Sequence, residues 1–99
     1  MSEKLEDLTV TYTEDGIDTT KELDKVVLSK GSWTTIIFRY QDWNRAKGDY
    51  SPEKYTIRRY QKRNGEYRQQ SKFNISSRAQ AQSIIDALQK WLVDDPPAS

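Results

Sequence analysis

Cysteine and histidine are both absent from the 99 residues, and methionine occurs once. Without cysteine there is no disulfide framework and no thiolate nucleophile, which suits a reducing compartment. Without histidine the commonest general base and the commonest metal ligand are missing. No apolar run reaches the roughly 18 residues of a membrane span, and the opening MSEKLEDL is too polar for a secretory signal. The expectation is a soluble, cytoplasmic protein with no membrane association. Enzymatic motifs are missing too. There is no G-x-S-x-G elbow, phosphate loop, dinucleotide fingerprint or zinc spacing, and Asp42 and Asp49 are isolated loop acids. Neither an enzyme, a cofactor, a metal nor a small-molecule substrate is expected.

What is present is charge, unevenly placed. The net charge of +1 hides a first segment, residues 1–25, with eight acids and three bases. Residues 26–90 hold thirteen bases and five acids. A neutral balance of this kind is poor evidence against a polyanionic partner, because the local field steers binding. The densest stretch is KYTIRRYQKRNGEYRQQSK, residues 54–72, with seven bases, the single acid Glu66 and the rings of Tyr55, Tyr60 and Tyr67. Cations there can neutralise phosphates, and aromatic faces can stack on unpaired bases.

At 99 residues and 34 % hydrophobic content the chain allows one domain with a modest core, and dimerisation would add apolar burial. Residues 1–24, acidic and threonine-rich, are expected to be a partly ordered arm, although the alternation at Leu8-Thr-Val-Thr-Tyr12 also suits an edge strand. The domain is expected over 25–93, with a tail at 94–99. Val26-Val27-Leu28 reads as a first strand, and Trp33 to Trp43, rich in β-branched and aromatic residues, as the second. A loop follows over Asn44 to Pro52, then a third strand at Lys54 to Lys62. Asn64-Gly65 demands a hairpin turn with positive φ at both residues, so Glu66 through Ile75 returns as the fourth. Ser77 with Gln80 forms a capping pattern that opens a helix. Ala81, Ile84, Ile85, Leu88, Trp91 and Leu92 make its apolar face. The fold class is therefore α+β, a four-stranded antiparallel curved sheet followed by one C-terminal helix.

Alternation predicts that the helix packs on Ile57, Phe73 and Ile75, while Thr56, Arg58, Tyr60 and Lys62 face away from it. On the second strand Ile36 and Phe38 are expected beneath the helix, with Trp33, Ile37 and Arg39 on the open face. The candidate nucleic-acid-binding residues are Arg39, Arg58, Lys62, Arg63, Arg68 and Lys72 for phosphates, with Tyr60 and Trp43 for stacking. Trp91 is expected in the core or a dimer contact.

Ile57-Arg58-Arg59-Tyr60, a turn with Gly65-Glu66, then Lys72 and Ile75-Ser76 leading into an amphipathic helix resemble the transcriptional coactivator family of positive cofactor four and its bacterial relatives. The resemblance spans roughly residues 25–92, with the matching positions concentrated in 57–76. Gln61 stands where the family carries an aromatic, and Ser71-Lys72 where it carries a basic pair. It implies a homodimer that binds single-stranded or melted DNA on the sheet side away from the helices, with weak sequence preference and a role in transcription regulation. Arg58 matches the family's strand arginine that faces nucleic acid, and Lys72 one of its basic residues before the last strand. The expected partner is single-stranded nucleic acid, DNA favoured over RNA. The alternative is a protein-protein interaction module whose basic hairpin is only a solvated surface.

Overall fold

The computed structural model describes residues 4–94. Six antiparallel strands and one helix follow a short 3-10 turn at Leu5–Asp7: β1 (Tyr12–Glu14), β2 (Ile17–Ser29), β3 (Trp33–Asn44), β4 (Asp49–Tyr50), β5 (Lys54–Arg63), β6 (Glu66–Ile75) and α1 (Arg78–Asp94). The sheet order is β1-β2-β3-β5-β6, with β4 paired to the end of β3. The class is α+β with a curled antiparallel sheet and a C-terminal helix, but with six strands in place of the expected four. No helix of the described residues is long and apolar enough to cross a membrane. The expected tail lies, from residue 95 on, outside the described residues.

Two turns set the register. Asn64 (φ 51°) and Gly65 (φ 77°) both adopt the left-handed conformation that a two-residue hairpin needs. Asp15 (φ 52°) and Gly16 (φ 78°) do the same between β1 and β2. Bulges interrupt β2 against β3 near residues 23 and 28, and β5 against β6 between Arg59 and Tyr60. At the helix start Ser77 Oγ accepts from the Gln80 N–H at 3.1 Å, and Gln80 Oε1 accepts from the Ser76 N–H at 2.8 Å. This is the expected capping pattern, with its return bond one residue earlier than usual.

The division at residue 24/25 falls inside β2, so the acidic stretch is not a separate arm. Residues 12–24 supply β1 and half of the long second strand. Leu8 and Val10, 5 % and 6 % exposed, form the core cluster with Ile36, Phe38 and Tyr60. The ammonium of Lys25 on β2 holds this segment down by donating to the carbonyls of Leu5 (3.4 Å), Glu6 (3.0 Å) and Leu8 (2.7 Å). The Leu5 carbonyl also accepts the Leu8 N–H at 3.2 Å, so Lys25 adds a second donor there and caps the end of the turn at Glu6 and Leu8.

Each sheet face therefore has its own cover. On the N-terminal face, Thr34, Ile36, Phe38, Thr56 and Tyr60 lie beneath Leu8 and Val10. The buried hydroxyl of Thr56 donates to Asn74 Oδ1 at 2.8 Å, and that of Thr34 to the Gly31 carbonyl at 3.3 Å, so neither is orphaned. On the helix face, α1 spans a groove of ≈ 510 Å³ lined by Leu28, Ile37, Tyr55, Ile57, Ile75 and its own Ala81, Ile84, Ile85 and Leu88.

The expected orientation of β3 is inverted. Ile37 pairs with Ile57 and so shares the helix face, whereas Ile36 and Phe38 pair with Arg58 and Thr56 on the other. The physical reason is that Leu8 and Val10 close over the other face, so Ile36 and Phe38 are fully buried there, while Ile37 is only half-buried at the groove beneath α1 and Phe73, expected under the helix, stays exposed.

Candidate nucleic-acid interface

The β5–β6 hairpin carries its cations on both faces. Register places Arg58 opposite Lys72 and Lys62 opposite Tyr67, and Tyr60 opposite Gln69, on the N-terminal face. Gln61 opposite Arg68, Arg63 opposite Glu66 and Arg59 opposite Ser71 lie on the helix face. The hairpin projects past the start of β3, where the Lys62 N–H donates to the Ser32 carbonyl at 2.8 Å. Lys62, Arg63, Arg68, Lys72 and Arg59 are exposed, and Arg58 is half-buried.

On the N-terminal face, Arg58 Nη1 donates to Gln69 Oε1 at 3.0 Å, while its buried Nε has no hydrogen-bond partner. The ammonium of Lys62 stands 5.4 Å from the Tyr67 ring centroid. Arg58 and Lys72 face each other directly across the ladder, and like charges so placed are destabilising. On the helix face, Arg59 stands 4.6 Å over the indole of Trp33, and Arg68 Nη2 is 3.9 Å from Glu66 Oε2. Among the described residues the ion pairs are Arg39–Glu53, Arg45–Glu14, Lys54–Asp42 and Arg68–Glu66. Arg58, Arg59, Lys62, Arg63 and Lys72 thus have no carboxylate partner among those residues.

The eight sequence-predicted residues do not converge on one face. Arg58, Lys62 and Lys72 share the N-terminal face of the hairpin; Arg63 and Arg68 lie on its other side at the tip. Arg39 is on the helix face, where Glu53 neutralises it at 3.4 Å, because β3 has the opposite orientation from the one expected. Trp43 lies ten residues along β3 from Trp33, about 33 Å at the rise of a strand, and so far from the hairpin. It is half-buried and packs edge-to-face on Tyr50 with centroids 5.1 Å apart. The Tyr50 hydroxyl donates to the Asp18 carbonyl at 3.0 Å, so this pair pins β4 against β2.

Tyr60 is 5 % exposed beneath Leu8 and Val10 and offers no stacking surface. Burial pushes its phenol above the ordinary tyrosine range, the Arg58 charge opposes that, and Glu22 adds to it. The residues that sequence reasoning passed over are Trp33 and Arg59. The signal was available, since Trp33 opens β3 where the strand meets a polar turn and Arg59 sits in the basic run.

A second feature is apolar. α1 leaves Ile85, Leu88, Trp91, Leu92 and Val93 exposed, and the sheet leaves Val26, Leu28 and Phe73 exposed. Single exposed apolar residues such as Val93 are ordinary, but Ile85, Leu88, Trp91 and Leu92 share one face of α1, and such a set marks a contact surface.

No family model matches the chain, and neither the curated proteins nor the solved structures show a significant match to it.

Proposed function

We propose that this chain binds single-stranded nucleic acid along the β5–β6 hairpin, without chemistry of its own, and that it does so as a homodimer. The observation that carries this reading is the set of five cations on the hairpin with no carboxylate partner among the described residues, two of them, Arg58 and Lys72, directly opposed. Like charges facing across a ladder are unfavourable in the free protein and become favourable when a phosphate bridges them. The binding element is the hairpin, not the whole sheet face, because Leu8 and Val10 cover the centre of that face. The resemblance to the positive cofactor four family supports the same reading and favours DNA and a place in transcription regulation. The exposed apolar stripe of α1 supports the dimer.

The test is fluorescence anisotropy with a labelled single-stranded DNA of about 20 nucleotides, at several salt concentrations and with duplex competitor. Binding should be steep in salt and resistant to duplex. Lys62→Ala with Lys72→Ala should lower the slope of log K against log salt by about 1.4, at about 0.7 per lost phosphate contact. No binding at low salt would leave the second reading, a protein-interaction module docking through the α1 groove, whose affinity would be nearly salt-independent.

A further inference from the structure

The hairpin has phosphate-binding cations on both faces, yet the ring expected to stack on bases, Tyr60, is buried. The question is which surface holds a base. Of the three tryptophans, Trp43 is engaged with Tyr50, and Trp91 lies on the exposed apolar stripe of α1. Trp33 is 42 % exposed and is not among the residues lining the groove beneath α1. It is therefore an indole on the cationic part of the helix face.

Its neighbours complete a recognition surface. Trp33 pairs with Gln61, and Gln61 pairs with Arg68, so the three side chains form one row across β3, β5 and β6. Arg59, standing opposite Thr35, leans over the indole with its guanidinium carbon 4.6 Å from the ring centroid. A guanidinium plane and an indole plane are the two surfaces on which unpaired bases stack most readily. A side-chain amide such as that of Gln61 can both donate to and accept from a base edge. Arg63 and Arg68 are placed to take flanking phosphates. A base in a duplex has both faces covered by its neighbours, so this surface selects unpaired bases.

We infer that Trp33 and Arg59 form the base-stacking platform of this protein, with Gln61 reading the base edge, so that a single strand crosses from the N-terminal face of the hairpin to its helix face. This inference rests on the single-strand reading above and specifies its base contact.

The experiment compares two labelled single strands of about 20 nucleotides, an oligothymidylate and an abasic oligomer with the same phosphates and no bases. Trp33→Ala should weaken oligothymidylate binding about 5- to 150-fold, the range of one lost base stack. Its affinity for the abasic strand should stay within about twofold of wild type, since phosphate contacts are unchanged. Trp33→Phe should retain most of the difference between the two probes. In a Trp43→Phe/Trp91→Phe background, which leaves Trp33 as the only indole, oligothymidylate should quench the fluorescence and the abasic strand should not. Equal affinity of Trp33→Ala and wild type for oligothymidylate, an equal loss on both probes, or unquenched Trp33 fluorescence on binding would overturn the stacking assignment. Failure of the wild-type protein to bind either probe would instead overturn the single-strand reading on which it rests.

Discussion

Truncating Leu8 to alanine is expected to destabilise the whole domain, although the residue lies in a stretch whose composition reads as a loose arm. Leu8 is 95 % buried against Ile36, Phe38 and Tyr60, and the first two have no exposed surface at all. Burying a leucine contributes about 1.5–3 kcal/mol, and Leu→Ala in a core costs about 2–5 kcal/mol once the residual cavity is included. The segment is held at one end by β1 and at the other by the three carbonyls on Lys25, so it can settle part-way into the cavity. That places the cost near the low end, about 2–3 kcal/mol, or a fall in Tm of about 8–24 °C for a domain of this size. Urea unfolding followed by circular dichroism measures it. Adding Val10→Ala tests whether the segment deforms or detaches. A segment that stays docked pays again for the second cavity. One that has already come away adds nothing further, because the cost is bounded by its undocking free energy. A change below about 0.5 kcal/mol for Leu8→Ala, the range of a surface substitution, would refute the reasoning.

Three further outcomes are expected. Sedimentation at micromolar concentration should give a dimer, and Leu88→Asp with Trp91→Asp should give a folded monomer; a monomeric wild type would remove α1 as an interface. Because the Tyr60 phenol titrates above its ordinary value when folded, chiefly through burial, its contribution is fully present below about pH 10 and lost as pH rises through the folded value. Tyr60→Phe should flatten the stability profile in that alkaline window, and an unchanged slope would show that the phenol is not what titrates there. Glu6→Gln with Asp7→Asn, which removes acids from the exposed 3-10 turn without touching the core, should tighten single-strand binding by a few-fold at low salt and by nothing at high salt; a salt-independent gain would mean a change in packing.

What could be read from the chain in advance was local. The capped amphipathic helix, the Asn64-Gly65 hairpin and the β-branched run of β3 each depend on neighbours within four residues, and all are present. β2 was largely hidden because bulges near residues 23 and 28 break its alternation, and because its apolar residues Ile17, Val26 and Leu28 stand at exposed positions while Thr19, Thr20 and Glu22 are half-buried. Asp15-Gly16 has the turn chemistry of Asn64-Gly65, but the alternation of Leu8, Val10 and Tyr12 flanks it on one side only, and Asp18-Thr-Thr-Lys on the other reads as coil. The faces were misjudged for a connected reason. With residues 5–10 treated as an arm, the sheet had one cover, so Ile36 and Phe38 were expected beneath α1 and Tyr60 in the open. Once Leu8 and Val10 supply a second cover, the same residues exchange roles: Tyr60 becomes core and Trp33 keeps solvent on its ring.

The position of the cations follows from that double cover. A strand whose two faces are both buried cannot carry charge on either, and β5 obeys this only while it lies between β3 and the two covers. Thr56 and Ile57 are in that zone. From Arg58 onward the strand approaches the edge of both covers, and charge becomes tolerable first as a half-buried arginine braced by Gln69, then as exposed Arg59, Lys62 and Arg63. The last buried residue in β5, Tyr60, is also the first one flanked by cations on its own face. The core thus reaches Tyr60, between Arg58 and Lys62 on the same face, and fixes the spacing of their backbones without any contact to a carboxylate. A flexible basic tail would have to lose that freedom on binding; a hairpin anchored this way has already done so when it folds.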